Sequence, residues 1–280
     1  MARIRGILFD KDGTLVDFHK TWFKIGDMLA LEAAGGDRMK ADRLLAIAGY
    51  DFAAQHFIAD SVFAAGTNAD VVALWHPDLE PRLRHEIVDR FNSITASGGA
   101  AKAVAIEGVR EALTLLHQRG YRLGVATNDS TGGANQTLLM LGLSQMFDAA
   151  YGYDAVANPK PAPDTVEAFC ALTGLAADEI AMVGDNSHDI EMARNAGCGL
   201  SVGVLSGTGT RESFHHADVV LNSIAELPAC LADSPQPALR AISMSWLLSP
   251  TIAISSAASP VSAQKASTVS GAGFGLATAS

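Results

Sequence analysis

Two acids stand two residues apart in Asp10-Lys11-Asp12-Gly13-Thr14-Leu15, directly after the apolar run Ile7-Leu8-Phe9. Like charges this close push their proton affinities apart, so one carboxylate can stay ionised and attack while the other carries a proton. A strand sends residues i and i+2 to one side, but Asp12 falls at a glycine-containing turn, and the turn must aim it. Asp-x-Asp-Gly also opens a calcium-binding loop, which needs glycine at its sixth position and glutamate at its twelfth. Counted from Asp10, those positions hold Leu15 and Thr21. A plain surface turn is the remaining alternative.

Three more clusters follow apolar runs. Val125-Ala126 leads into Thr127-Asn128-Asp129, where a hydroxyl and adjacent backbone N–H groups can hold phosphate oxygens or merely cap the next helix. Asn158-Pro159-Lys160-Pro161-Ala162-Pro163 sets one lysine among prolines. The prolines limit where Lys160 can go. A positioned ammonium can neutralise a nucleophile and a transferring phosphoryl group together; an exposed lysine in a stiff loop is the alternative. Met182-Val183-Gly184-Asp185-Asn186-Ser187-His188-Asp189 ends a strand and opens a helix. One helical turn brings Asp185 and Asp189 to the same side, and a cation relieves their repulsion. Oxygen-only ligands suit Mg2+, which keeps water and substrate phosphate in its shell; otherwise Asp185 is an N-cap and Asp189 is solvated. His188 is expected to pack or face solvent.

Positioning these clusters requires a sheet. Residues 3–9 read as a buried strand. Helical patterns then fill His19–Ala34, Asp37–Ala48, Asp51–Ala65, Asn68–His76 and Pro81–Thr95, separated by Gly35-Gly36, Gly49, Gly66 and Pro77. No strand is expected in this block, which reads as a helical module inserted after the first strand. From Ile106 helices alternate with strands at Tyr121–Ala126, Phe147–Tyr151, Ile180–Val183, Leu200–Val204 and Val219–Leu221. That alternation implies an α/β fold with a parallel sheet covered on both faces. Such sheets bind ligands beyond the carboxyl ends of their strands, where the four clusters fall. Beyond Ser234 the chain is rich in Ser, Ala, Gly, Thr and Pro, with one apolar patch at Trp246-Leu247-Leu248. A disordered tail is expected there, with a docking peptide as the alternative.

The set resembles the haloacid dehalogenase superfamily, in particular its phosphoglycolate phosphatase-like branch. Phe9 to Leu15, Thr127-Asn128, Lys160 before Pro161, and Gly184-Asp185 with Asp189 match its four motifs in order and spacing. The resemblance implies a three-layer Rossmann-like parallel-sheet core over 1–16 and 99–234. It places an inserted all-helical cap domain at 17–98 and has no counterpart for the tail at 235–280. It makes Asp10 the nucleophile that forms an aspartyl-phosphate and Asp12 the acid and then the base. Thr127 and the Asn128 backbone hold phosphate, and Lys160 balances charge. Mg2+ sits on Asp10, the Asp12 carbonyl and Asp185, with Asp189 in the outer shell. The second acid, Asp12, favours phosphoryl transfer over carbon–halogen cleavage. His19, Lys20, Trp22 and Lys24 are candidates for cap contacts to the leaving group; Gly98-Gly99 and the turn near Asp17 are candidate hinges. The expected activity is Mg2+-dependent hydrolysis of a small phosphorylated metabolite, phosphoglycolate-like or a sugar phosphate. A sugar-phosphate mutase and a noncatalytic binding protein are the alternatives.

Bulk composition agrees with this reading. The 280-residue chain is 49% hydrophobic, as a packed body requires, and its formal charge of -10 argues against binding nucleic acid or an anionic membrane. Cys170, Cys198 and Cys230 form no CxxC pair, so free thiols are expected. Neither a secretory signal nor an apolar run near the ~20 residues of a membrane span is found, and a cytoplasmic monomer or homodimer is expected.

Overall fold

The computed structural model describes residues 3–232. In chain order the elements begin with β1 (Gly6–Phe9), α1 (Phe18–Ala33), α2 (Arg38–Ile47), β2 (Tyr50–Asp51), β3 (His56–Phe57), α3 (Val62–Ala65), α4 (Asn68–Trp75) and α5 (Pro81–Lys102). They continue with α6 (Val109–Gln118), β4 (Arg122–Ala126), α7 (Thr131–Met140), β5 (Ala149–Tyr151), α8 (Asp164–Thr173) and β6 (Ile180–Gly184). The last are α9 (Ser187–Ala196), β7 (Leu200–Val204), β8 (Val219–Leu221) and α10 (Leu227–Cys230). The large sheet has six strands in the order β5-β4-β1-β6-β7-β8, all paired in parallel.

Alternation along each strand builds two cores, because successive side chains leave opposite faces. Ile7 and Phe9 of β1, Leu123 and Val125 of β4, and Ala181 and Val183 of β6 join one cluster with Leu113 and Leu116 of α6. Leu8, Ala126 and Met182 enter the other, with Phe169 of α8 and Met192 of α9. Phe9 is in register with both Val125 and Val183. The chain therefore leaves β1, β4 and β6 at one edge, where Asp10, Thr127 and Asp185 follow.

The block between β1 and α6 has its own apolar cluster, including Trp22, Ile25, Leu29, Leu45, Val72, Trp75 and Phe91. One sequence expectation fails inside it, and one helix runs further than its pattern suggests. Asp51–Ala65 is not a helix: β2 and β3 form a small antiparallel pair, Tyr50 opposite Phe57, and only Val62–Ala65 is helical. The Asp51 carboxylate accepts the amides of Ala53 (2.8 Å) and Ala54 (3.0 Å). This local capture turns the chain before a helix can propagate, and the block does contain strands. Secondly, α5 runs through Gly98-Gly99 to Lys102. Those glycines line the approach of α1: a Cβ at 98 would lie 3.6 Å from Ile25 and one at 99 would lie 3.9 Å from Trp22. These are ordinary van der Waals distances, so α1 packs beside the two glycines, and the helix continues through them despite a penalty of ~1 kcal/mol each. The chain re-enters the sheet body where Asp17 N–H donates to the Val104 carbonyl (2.8 Å). The tail from Ser234, with Trp246, lies outside the described residues. No helix among them is long and apolar enough to cross a membrane.

Candidate active site

Asp10 follows β1 and is anchored by its amide, which donates to the Val183 carbonyl of β6 (2.8 Å). Lys160 arrives from the loop between β5 and α8. That loop is pinned at three points: Asn128 Nδ2 donates to the Lys160 carbonyl (3.2 Å), Asn195 Nδ2 to the Pro161 carbonyl (2.9 Å), and Asn158 N–H to Asp164 (2.9 Å). The buried ammonium so placed donates to Asp10 Oδ1 (2.6 Å) and Asp189 Oδ1 (2.7 Å). Asp189 Oδ2 accepts the Asn186 amide (3.0 Å), so both oxygens of Asp189 are engaged. Asp185 Oδ2 accepts the Thr208 amide (2.7 Å). Among the described residues Asp10 Oδ2 and Asp185 Oδ1 accept no hydrogen bond.

One carboxylate oxygen from each of Asp10, Asp185 and Asp189 lies within 4.8 Å of the others, all three residues buried. Burial is the largest cause raising the Asp10 carboxyl to about 7; Lys160 opposes it, while Asp189 and Asp12 add to it. Burial, then Asp10 and Asp189, push Asp185 well above the usual carboxylate range. Burial likewise raises Asp189. For Lys160 burial acts downward, but Asp10 and Asp189 outweigh it and keep the ammonium protonated. A nest of carboxylates with two oxygens left over fits a hard, oxygen-seeking divalent cation. The Asp12 carbonyl accepts no backbone hydrogen bond among the described residues. The bridge between Asp12 and Val16 uses the Lys11 carbonyl and the Gly13 amide, leaving the Asp12 carbonyl out of it.

The turn aims Asp12 away from Lys160. Gly13 has a left-handed φ of +82°, and the Leu15 and Val16 amides fold back to the Lys11 carbonyl (2.9 and 3.0 Å). Asp12 Oδ1 accepts the indole N–H of Trp22 (2.6 Å), and Oδ2 pairs with the Lys11 ammonium. Lys11 is almost completely buried, 3.2 Å from Asp129 and 5.2 Å from the centre of the Trp22 ring. Burial acts against its charge, but Asp12 and Asp129 raise its proton affinity. Thr127, buried at the end of β4, accepts the Asp129 amide (3.1 Å), which leaves its own O–H free to donate. Asn128 Nδ2 donates to the Ala65 carbonyl (2.8 Å), tying the sheet edge to the helical block.

Thus Asp10, Lys160, Asp185 and Asp189 come together. Asp10, Asp12, Thr127, Asn128, Lys160 and Asp185 also line one cavity of about 60 Å³. His188 lines it too, with a buried Nδ1 that has no partner among the described residues; it is not simply solvent-facing. His19, Lys20 and Lys24 are exposed and outside that lining; of the four cap candidates only Trp22 enters it. Sequence reasoning passed over Lys11, Asp129 and the Ser206–Thr208 loop. Their available signals were a lysine between two acids, an acid directly after Thr127-Asn128, and a Gly/Ser/Thr-rich stretch after β7. In that loop Ser206 Oγ donates to the Gly13 carbonyl (2.7 Å).

Comparison with known proteins identifies the family of the chain. A family model described as haloacid dehalogenase-like hydrolase matches residues 7–202. A phosphoglycolate phosphatase of Pectobacterium atrosepticum is 30% identical over 81% of this chain and 92% of its own. The pyrophosphatase PpaX of Listeria welshimeri is 27% identical over 83% of this chain and 98% of its own. In fold, a haloacid dehalogenase-like family hydrolase of Streptococcus pneumoniae superposes with a TM-score of 0.60 at 19% identity, covering 82% of this chain and all of that one.

Proposed function

This chain belongs to the haloacid dehalogenase-like hydrolases, and from that premise we propose that it is a Mg2+-dependent phosphatase of small phosphate monoesters acting through Asp10. It is an enzyme of the phosphatase group. The observation that carries the finer reading is the Lys160 ammonium bridging Asp10 and Asp189 at 2.6 and 2.7 Å, beside two unengaged oxygens of Asp10 and Asp185. In this reading Asp10 Oδ2 attacks phosphorus, the ester C–O–P bridge breaks on the phosphorus side, and the phosphoryl group passes to Asp10. The departing alkoxide takes a proton from Asp12. Water then attacks the aspartyl-phosphate, gives its proton to Asp12, and phosphate leaves with Asp10 restored. The Thr127 hydroxyl and the Asn128 amide hold the transferring oxygens, and Lys160 offsets the charge they gather.

Asp10, Asp185 and the Asp12 carbonyl would hold Mg2+, with Asp189 orienting Lys160 behind them. The cation would supply positive charge against the phosphoryl oxygens and against the mutual repulsion of the carboxylates. The helical block, as a cap over 17–98, would exclude water from the cavity. Asp12 sits under that block through Trp22.

Phosphate release from a panel of phosphomonoesters, with Mg2+ and with chelator, tests this reading. Turnover is expected with Mg2+ alone, and Asp10→Asn is expected to lower kcat by at least about a thousandfold. A requirement for a bisphosphate activator would instead indicate a mutase. An Asp10→Asn protein with near wild-type turnover removes the nucleophile assignment.

A further inference from the structure

Resting on the phosphatase reading above, we propose that this site takes phosphate esters of uncharged alcohols with an apolar face and rejects leaving groups that carry a carboxylate or a second phosphate. The cavity wall facing Asp10 comes from the helical block and is built of Phe18, Trp22, Phe63, Ala65 and Val71. The single polar atom of the Trp22 side chain is engaged by Asp12 Oδ1, so Trp22 offers the cavity its ring. Phe63 is held flat against Phe57, with ring centres 4.5 Å apart and planes 8° apart. Donors of the polar side chains on the same wall are already engaged: Thr67 Oγ1 donates to Asp70 (2.7 Å), and Asn68 Nδ2 donates to Asn92 (2.8 Å).

Charge points the same way. Lys160 is the one lysine in the lining, and no arginine is there among the described residues. Its ammonium is engaged by Asp10 and Asp189. Lys11, behind Asp12, is engaged by Asp12 and Asp129. Each of the two lysines is thus shared by two carboxylates, and neither presents an unshared positive charge to a leaving group. An anionic leaving group would therefore lose its water beside Asp12 and Asp129 and gain no cation in exchange.

Two polar side chains of the lining are still open. Asn186, 5% exposed, has both amide atoms buried without a partner, and His188 Nδ1 is in the same condition. Both residues line the cavity. A hydroxyl, which donates and accepts, can serve both Asn186 atoms, whereas a carboxylate leaves the acceptor Oδ1 unmet. The room is small. At ~10–15 Å³ for each water-sized group, about 60 Å³ holds little beyond the phosphoryl group. Longer alcohols must extend along the aromatic wall.

The test uses the full chain with Mg2+ at pH 8 and a matched pair of nearly equal size, 2-phosphoglycolate and its primary amide, together with propyl phosphate and pyrophosphate. The expected result is a kcat/KM for the amide and for propyl phosphate at least tenfold above that for either anion. Phe63→Leu is expected to raise KM for benzyl phosphate several-fold more than for the amide. A preference below tenfold, or one favouring phosphoglycolate or pyrophosphate, overturns this proposal and leaves the phosphatase reading standing. Absence of Mg2+-dependent release from all four compounds overturns the phosphatase reading itself.

Discussion

Gly207→Ala isolates the contact that aims Asp185. A Cβ at position 207 would lie 1.9 Å from Asp185 Oδ2 and 2.4 Å from its carboxyl carbon. Gly207 does not have a left-handed φ, so the substitution adds a methyl group and no backbone strain. The oxygen it strikes is the one that accepts the Thr208 amide at 2.7 Å. Loss of that charge-assisted bond costs about 1.5–3 kcal/mol, and overpacking adds about 1–3 kcal/mol. Reduced freedom of the unfolded chain returns about 0.4–1 kcal/mol. The net is about 3 kcal/mol, which at roughly 2–4 °C per kcal/mol for a body of this size lowers Tm by roughly 6–12 °C. A displaced Asp185 should also weaken Mg2+ by about ten- to a hundredfold, at about 1.4 kcal/mol per decade. Gly174→Ala is the control. Its φ is +71° with nothing within 4 Å of a Cβ, so it carries only the ~1 kcal/mol of a left-handed alanine and should leave the metal dependence unchanged. Thermal melting and the Mg2+ dependence of phosphate release measure both variants. If Gly207→Ala half-saturates with Mg2+ within threefold of wild type, the argument that the 206–208 loop sets Asp185 is refuted.

The remaining predictions concern the acids. Asp10 rises from 3.8 to about 7 on burial. Its folded value lies above its unfolded one, so the stability it contributes is full below about pH 4 and is lost as pH rises through about 7. Metal-free protein should therefore melt at lower temperature at pH 8 than at pH 5 through this group, Mg2+ should raise Tm more at pH 8, and Asp10→Asn should flatten the fall; an unchanged slope in that variant rules out Asp10 as its source. Trp22→Phe keeps a ring but removes the 2.6 Å bond to Asp12. At about 1.5–3 kcal/mol for a bond to a charged group, kcat for alkyl phosphates should fall by roughly ten- to a hundredfold, and steady-state kinetics showing a change in KM alone would contradict this positioning role. Asp12→Ala should slow alkyl phosphates far more than activated aryl phosphates, and equal losses across a leaving-group series would count against Asp12 as the acid.

The parallel sheet was legible because its signals are local. Apolar runs such as Ile180–Val183 end in short polar residues that cap the next helix, and alternation of strand and helix admits few arrangements. The same locality explains the errors. Asp51–Ala65 carries a helical pattern, yet the Asp51 side chain captures two amides next to it. Gly98-Gly99 has the texture of a break, but α1 lies against it. Both outcomes depend on contacts that a propensity does not contain.

For the site, the sequence alone determined the acids and the lysine as candidates, and the family they resemble, because the acids sit where strands end and the lysine is set among prolines. It could not decide where those side chains point. Lys160 meets Asp10 across 150 positions of chain, Trp22 of the helical block grips Asp12, Lys11 pairs inward with Asp129, and the loop after β7 closes on Asp185. These pairings arise only when parallel strands are locked in register and a second apolar cluster is packed beside them. Burial then removes the water that would otherwise satisfy each charge, and leaves Asp10, Asp129 and Asp189 dependent on lysines far away in sequence.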